Sequence, residues 1–185
     1  HCTSSAASDV YKRQQTGNSE AIAGDMSKIA NEAGFRAKVN SLDNITMDIL
    51  GNMENVAIIT STYGEGEMPD NAQLFWDALS ANTAPNLSNI KYSVLALGDT
   101  GYEEFCHAGK LIDTRFEQLG ATRIQDRVDC DVDYEELSET WTSSLIAKWK
   151  PEVQVIKEKS NDQSNLKEYN RKNPYNAKLL SNRML

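Results

Sequence analysis

Residues Val56-Ala-Ile-Ile-Thr60 form an unbroken apolar, largely β-branched run that stops abruptly at Ser61-Thr-Tyr-Gly-Glu-Gly-Glu67. Such a run has the pattern of a strand covered on both faces, which parallel sheets contain and half-solvated antiparallel sheets do not. Pro69 and Asp70 then open a helix, with Asp70 as the expected N-cap and Gln73 three residues on. Strand, polar glycine-bearing loop, helix is how an open α/β sheet makes a ligand site beyond the carboxyl end of a strand. Tyr63 has two readings here: a ring offered to a planar ligand, or a surface turn whose tyrosine covers the sheet edge.

The same alternation repeats along the chain. Gln15-Thr-Gly-Asn-Ser-Glu20 runs into a helical pattern with Ile22, Met26, Ile29, Ala30 and Ala33 on one face and Gly34 as its stop. Phe35–Asn40 reads as a strand and Ile45–Leu50 as a brief helix. The helix from Asp70 to about Ser80 directs Leu74, Phe75, Ala78 and Leu79 inward. Tyr92–Leu97 is a second apolar strand followed by a polar loop, and Ala108–Leu119 a helix with Leu111, Ile112, Phe116 and Leu119 inward. Thr122–Val128 makes the last strand. Asp133 caps a final helix, boxed with Glu136, whose Leu137, Trp141, Leu145 and Trp149 form one face up to Pro151. The expected fold is α/β, a doubly wound five-stranded parallel sheet.

The ends differ in texture. Residues 1–14 contain Ser4-Ser-Ala-Ala-Ser-Asp-Val-Tyr-Lys-Arg-Gln14, which back-translates into a sequencing-library adapter and reads as an artefactual leader. On that reading the first strand, before Gln15, has been overwritten. The α/β domain is expected over residues 15–150, a polar linker over 151–168, and the start of a truncated further domain over 169–185.

Charge and composition exclude several classes. Residues 1–150 hold 23 acidic and 12 basic side chains, net −11, and 151–185 hold 4 and 7, net +3, giving −8 overall. An acidic body repels nucleic-acid phosphates and suits a basic protein surface instead. No apolar run approaches a membrane span. Three cysteines without CxxC spacing and two histidines favour neither disulfides nor a metal, and point to the reducing cytoplasm. Cys106 beside His107 is not expected to be a catalytic dyad, and Trp76, Trp141 and Trp149 read as core or interface residues.

Three loops thus follow three strands, one a phosphate-cradle candidate at a helix start and two carrying aromatics. Gln15-Thr-Gly-Asn-Ser19, Ser61-Thr-Tyr-Gly-Glu-Gly-Glu67 and Leu97-Gly-Asp-Thr-Gly-Tyr-Glu-Glu-Phe-Cys106 resemble the three FMN loops of the NADPH-dependent diflavin reductases. Phe105-Cys-His-Ala-Gly-Lys110 and Asp126-Arg-Val-Asp-Cys-Asp-Val-Asp-Tyr134 are most similar, within that family, to the sulfite reductase flavoprotein subunits. Asn170-Arg-Lys-Asn-Pro-Tyr-Asn-Ala-Lys-Leu-Leu180 resembles the segment entering their FAD domain.

The resemblance implies a flavodoxin-like strand order 2-1-3-4-5, with FMN as the cofactor of residues 15–150. It assigns the phosphate to Gln15, Thr16, Gly17, Asn18 and Ser19, without a cation. It assigns the ring to Ser61, Thr62, Tyr63 and Gly64 and to Leu97, Gly98, Asp99, Thr100, Gly101, Tyr102, Glu103, Glu104, Phe105 and Cys106, with Asp131 at the rim. Gln14 stands where the family has a phosphate-binding Ser, and the family's first strand is missing. FAD and NADPH would belong to absent domains. The implied partners are the protein's own FAD/NADPH part and a haem or sirohaem acceptor with a basic docking surface, without nucleic acid, metal or membrane. A cytochrome P450 reductase-like donor, or a fragment unable to bind FMN, are the alternatives. A phosphoacceptor receiver domain fails for want of an Asp ending the central strand, and a nicotinamide module for want of GxGxxG.

Overall fold

The computed structural model describes the backbone of residues 5–7 and, with side chains, residues 17–150. Gln15, Thr16, the expected linker 151–168 and the expected domain start 169–185 lie outside the described residues. The chain order is β1 (Ser5–Ala7), α1 (Gly17–Glu32), β2 (Val39–Asn40), a 3-10 turn (Leu42–Asn44), α2 (Met47–Gly51), β3 (Asn55–Ser61), α3 (Asp70–Ser80), β4 (Lys91–Leu97), α4 (His107–Gln118), β5 (Thr122–Arg123), β6 (Val128–Cys130) and α5 (Glu135–Trp149).

All pairings among these strands are parallel, in the order β2-β1-β3-β4-β5, with β6 also on β4. The two apolar runs are the central ladder, in register from Asn55↔Lys91 to Ser61↔Leu97. Their residues alternate between two cores, because successive side chains leave a strand on opposite faces. Val56, Ile58, Tyr92 and Val94 pack with Phe75, Leu79, Ile112 and Phe116 of α3 and α4. Ala57, Ile59, Leu95 and Leu97 pack with Ala23, Met26, Trp141, Leu145 and Trp149 of α1 and α5. A continuous apolar run is what a strand clad on both sides requires. No described helix is long and apolar enough to cross a membrane.

The position between β2 and β3 is filled by Ser5–Ala7, whose partners are Val39 and Asn40 on one side and Ala57–Ile59 on the other. Ladder bonds use backbone groups, so a strand can form there without an apolar sequence.

Several boundaries differ from the expectation. The first edge strand is Val39–Asn40 and not Phe35–Asn40, since it has only Ser5 and Ala6 to pair with. The brief helix begins at Met47, capped by the Thr46 hydroxyl, which accepts from Ile49 N at 3.3 Å. The expected single last strand is two, so the sheet has six strands among the described residues. Four residues, Ile124 to Arg127, bridge the register that Ser93 and Val94 span on β4. Asp70 and Asp133 are not N-caps. Pro69 and Tyr134 hold those positions without side-chain caps, and Asp70 and Glu135 lie in the first turns, where a carboxylate complements the helix dipole. Leu74, Ala78, Ile29 and Leu137 face outward. The buried stripe of α3 is Ala72, Phe75 and Leu79, narrower than the apolar sequence pattern, whereas that of α5 is Ser138, Trp141, Thr142, Leu145, Ile146 and Trp149, wider than it.

α4 approaches β4 through Gly109, where an added Cβ would sit 2.4 Å from Ala96 Cβ and 3.3 Å from its Cα. Gly109→Ala is therefore expected to destabilise the chain by about 1–3 kcal/mol through overpacking. Gly24→Ala, in α1 with nothing within 4 Å, is expected to stabilise it by about 0.5–1 kcal/mol. Urea denaturation of the two variants reads both signs, and equal midpoints would refute the contact.

Candidate functional site

Parallel strands bring their following loops to one rim, and the loops after β3, β4 and β6 enclose an open cavity of 460 Å³ there. The first loop is a tight hairpin. Tyr63 N donates to Glu67 O at 3.0 Å and Glu67 N to Tyr63 O at 2.8 Å, with Gly64 and Gly66 at φ 52° and 114° in between. Thr62 also serves the next helix: its Oγ1 accepts from Ala108 N at 3.2 Å and so caps α4, whose own N-cap, Cys106, gives no side-chain cap.

The second loop begins where the ladder ends, with Gly98 N donating to Cys130 O at 2.9 Å. Gly98 lies against Cys106 and Phe105, so that an added Cβ would meet Cys106 N, Cys106 Sγ and Phe105 Cδ2 each at 2.9 Å. Asp99 folds the turn that presents Tyr102, its Oδ1 accepting from Gly101 N at 2.7 Å and its carbonyl from Tyr102 N at 3.1 Å. Lys110 Nζ secures the far end by donating to Phe105 O at 2.6 Å.

Cys106 adopts a left-handed backbone (φ 57°) and is fully buried, its thiol directed at the carbonyls of Ala96 and Cys130. Burial pushes that thiol up to about 12 and the Cys130 thiol up to about 11. His107 pairs instead with Glu104, Nδ1 to Oε2 at 2.8 Å. Cys106 and His107 therefore do not form a nucleophilic pair.

Asp131 begins the third loop. Its Oδ1 accepts from Thr100 N at 3.1 Å and Val132 N at 2.8 Å, and its Oδ2 from Thr100 Oγ1 at 2.5 Å. The Thr100 hydroxyl, and then the two amides, hold its carboxyl below the usual range.

Among the expected ligand residues, Ser61, Thr62, Tyr63 and Gly64 border the cavity, and so do Leu97, Gly98, Asp99 and Tyr102. Glu104, Phe105, Cys106, Asp131 and, from the start of α1, Asn18 complete this set. Gly17, Ser19, Thr100, Gly101 and Glu103 are not among its lining residues; Ser19 is buried at the helix start, and Thr100 and Gly101 shape the loop behind it. Val132 and Tyr134 line the cavity beyond the expected set. The signal for them lies in their position, since they follow the last strand as the other two loops follow theirs. No Lys or Arg lines the cavity among the described residues. Tyr63 and Tyr102 are 61% and 52% exposed, two aromatic surfaces left in solvent at the mouth of one cleft.

The flavodoxin family model matches residues 14–141. A sulfite reductase (NADPH) flavoprotein alpha-component of Bacillus subtilis is 39% identical over 172 residues, covering 91% of this chain and 28% of that protein. The corresponding protein of Vibrio parahaemolyticus is 37% identical over 178 residues, covering 92% and 29%. The chain thus spans under a third of the length of these relatives. Among solved structures, a flavodoxin of Streptococcus pneumonia TIGR4 superposes with a TM-score of 0.64 at 28% identity, covering 73% of this chain and 91% of that one. A cysteine-to-alanine mutant of a flavodoxin from Pseudomonas aeruginosa gives 0.68 at 26%, covering 80% and 99%. The parallel sheet, the loops gathered at its carboxyl rim and the family match agree: this chain belongs to the flavodoxin family.

Proposed function

We propose that the rim cavity binds FMN and that this domain is the electron-delivering part of an NADPH-dependent diflavin reductase of the sulfite reductase type. On this reading FAD and NADPH are handled by parts of the protein outside this chain, and the acceptor is a haem or sirohaem protein. That Tyr63 and Tyr102 are largely exposed yet border one cleft carries the reading. Leaving two aromatic faces in water is unfavourable unless a planar ligand covers them.

The residues present suit such a group. The cavity volume lies in the range of small-molecule sites. Its walls combine Leu97, Phe105 and the two tyrosines with hydroxyls and loop amides. Asn18, Ser19 and the backbone at the start of α1 would hold the phosphate by dipoles and N–H groups, a role that the sequence alone extends to Gln15 and Thr16. Bound there, FMN supplies one- and two-electron redox chemistry, and the protein contributes orientation and electrostatics. Tyr63 and Tyr102 would hold the ring between them and exclude water from its faces. The acids at the rim (Glu65, Glu67, Glu103, Glu104) keep the mouth negative, which favours approach of a basic acceptor surface.

Titrating the full chain with FMN while following flavin fluorescence tests the assignment. Saturable 1:1 quenching is expected. Flavin emission that never departs from a free-FMN control would sink it.

A further inference from the structure

We propose that Asp131 is a positioning residue: through Thr100 it fastens the Tyr102 loop in its ligand-ready shape and does not itself grip the ligand. The inference rests on the FMN reading of the cavity and names the part of the chain that pre-forms it.

The geometry is that of a clasp between two strand ends. β4 and β6 run in register to Leu97↔Cys130, and the Gly98 N–H to Cys130 carbonyl bond is the last backbone link. Beyond it the two chains enter different loops. Asp131, the next residue after β6, takes over with its side chain. One oxygen receives the Thr100 amide and the Val132 amide, and the other receives the Thr100 hydroxyl. Three donors converge on one carboxylate, one from its own loop and two from the loop that carries Tyr102. Hydrogen bonds to an ionised acceptor are the strong ones.

The far end of the Tyr102 loop is secured differently, by the buried Cys106 thiol and by Lys110 Nζ on Phe105 O. The near end, Asp99 to Tyr102, is exposed or half-buried and turns on its own Asp99 contacts. The Asp131 clasp ties that turn to the sheet. With its oxygens engaged in this way, Asp131 borders the cavity as a strut. A preformed wall lowers the ordering cost of binding.

The test combines hydrogen exchange of the FMN-free full chain with FMN titration of Asp131→Ala, Asp131→Asn, Thr100→Val and the Asp131→Ala/Thr100→Val double variant. In the absence of FMN, Asp131→Ala is expected to raise amide exchange of segment 98–105 about tenfold while segment 92–97 of β4 stays protected. The FMN dissociation constant is expected to rise about tenfold in Asp131→Ala and less in Thr100→Val, which keeps its amide. The double variant is expected to match Asp131→Ala, because the hydroxyl has nothing to act on once the carboxylate is gone. Asp131→Asn, which still accepts both amides, is expected to restore most of the loop protection.

Unchanged loop exchange in Asp131→Ala overturns the proposal. So does additivity in the double variant, which would mean that Asp131 meets the ligand independently of Thr100. Should Asp131→Ala unfold, seen as loss of β4 protection, the milder Asp131→Asn and Thr100→Val decide by the same loop-exchange readout. If no form of the chain binds FMN, the cofactor reading fails while the exchange comparison still judges the clasp.

Discussion

Asp113→Ala is expected to lower the unfolding free energy by about 3 kcal/mol, the lower end of what breaking a buried ion pair costs. Asp113 sits on α4 with 4% of its surface exposed and receives two guanidiniums. Arg123 Nε reaches its Oδ1 at 2.9 Å and Arg127 Nη1 its Oδ2 at 2.7 Å, while its carbonyl accepts from the Tyr92 hydroxyl at 2.9 Å. Both arginines are about three-quarters buried, so losing the carboxylate leaves two poorly hydrated cations. Their second partners soften the effect: Arg123 keeps Glu117 at 3.1 Å and Arg127 keeps Asp129 at 2.6 Å.

The network has a further consequence, because Arg123 precedes and Arg127 ends the Ile124–Arg127 excursion that divides the last strand. Removing Asp113 frees that excursion as well as unpairing charge. The comparison is Asp25→Ala, which breaks the Asp25–Lys28 pair at 2.7 Å, with side chains 69% and 75% exposed. An exposed i,i+3 pair contributes little, and salt screens it. Urea unfolding in low and high salt checks both: a large Asp113 effect that survives salt is expected. A loss below about 1 kcal/mol for Asp113→Ala would show that the arginines are held without it.

That same carboxylate marks the limit of what is legible in the sequence. The central strands β3 and β4 can be read because burial on two faces imposes an unbroken apolar run of the observed length. The break in the last strand cannot. Arg123 and Arg127 beside it meet a residue of α4, and pattern carries no trace of such a partner. Ser5–Ala7 give no signal for a related reason, since their ladder is made of backbone groups. The site shows the same division. Tyr63, Tyr102 and their glycines stand out by residue type, as each type serves a local turn or an aromatic face. Asp131 can be placed near the rim but not given its contacts, because its partner Thr100 lies 31 residues away on another strand's loop. Leu74 and Leu137 fit an inward pattern yet face outward, because apolar residues flank the true buried stripe.

Replacing both Tyr63 and Tyr102 by Ala is expected to weaken FMN binding roughly a hundredfold to several thousandfold while leaving the fold intact. Each ring contributes stacking of about 0.5–1.5 kcal/mol beyond area burial. Covering one aromatic face adds roughly another 1 kcal/mol, about half of what full burial of such a side chain yields. Two rings then sum to about 3–5 kcal/mol, at about 1.4 kcal/mol per tenfold in affinity. Each tyrosine alone should give about a tenfold to sixtyfold loss. The Phe versions, which keep the ring face, should stay within about threefold of the parent, because the stacking surface and not the hydroxyl carries the effect. Stability should change by under about 0.5 kcal/mol, since both side chains are more than half exposed and lie outside the two cores. Leu74→Ala is the matched control: Leu74 is 71% exposed and apolar, but it does not border the cavity, and its loss should leave affinity unchanged. Flavin fluorescence titration gives the constants, and far-ultraviolet circular dichroism confirms that the fold is kept. If the double Ala variant binds FMN within threefold of the parent, the rings are surface ornaments of their turns, and the cleft between them is not where the flavin sits.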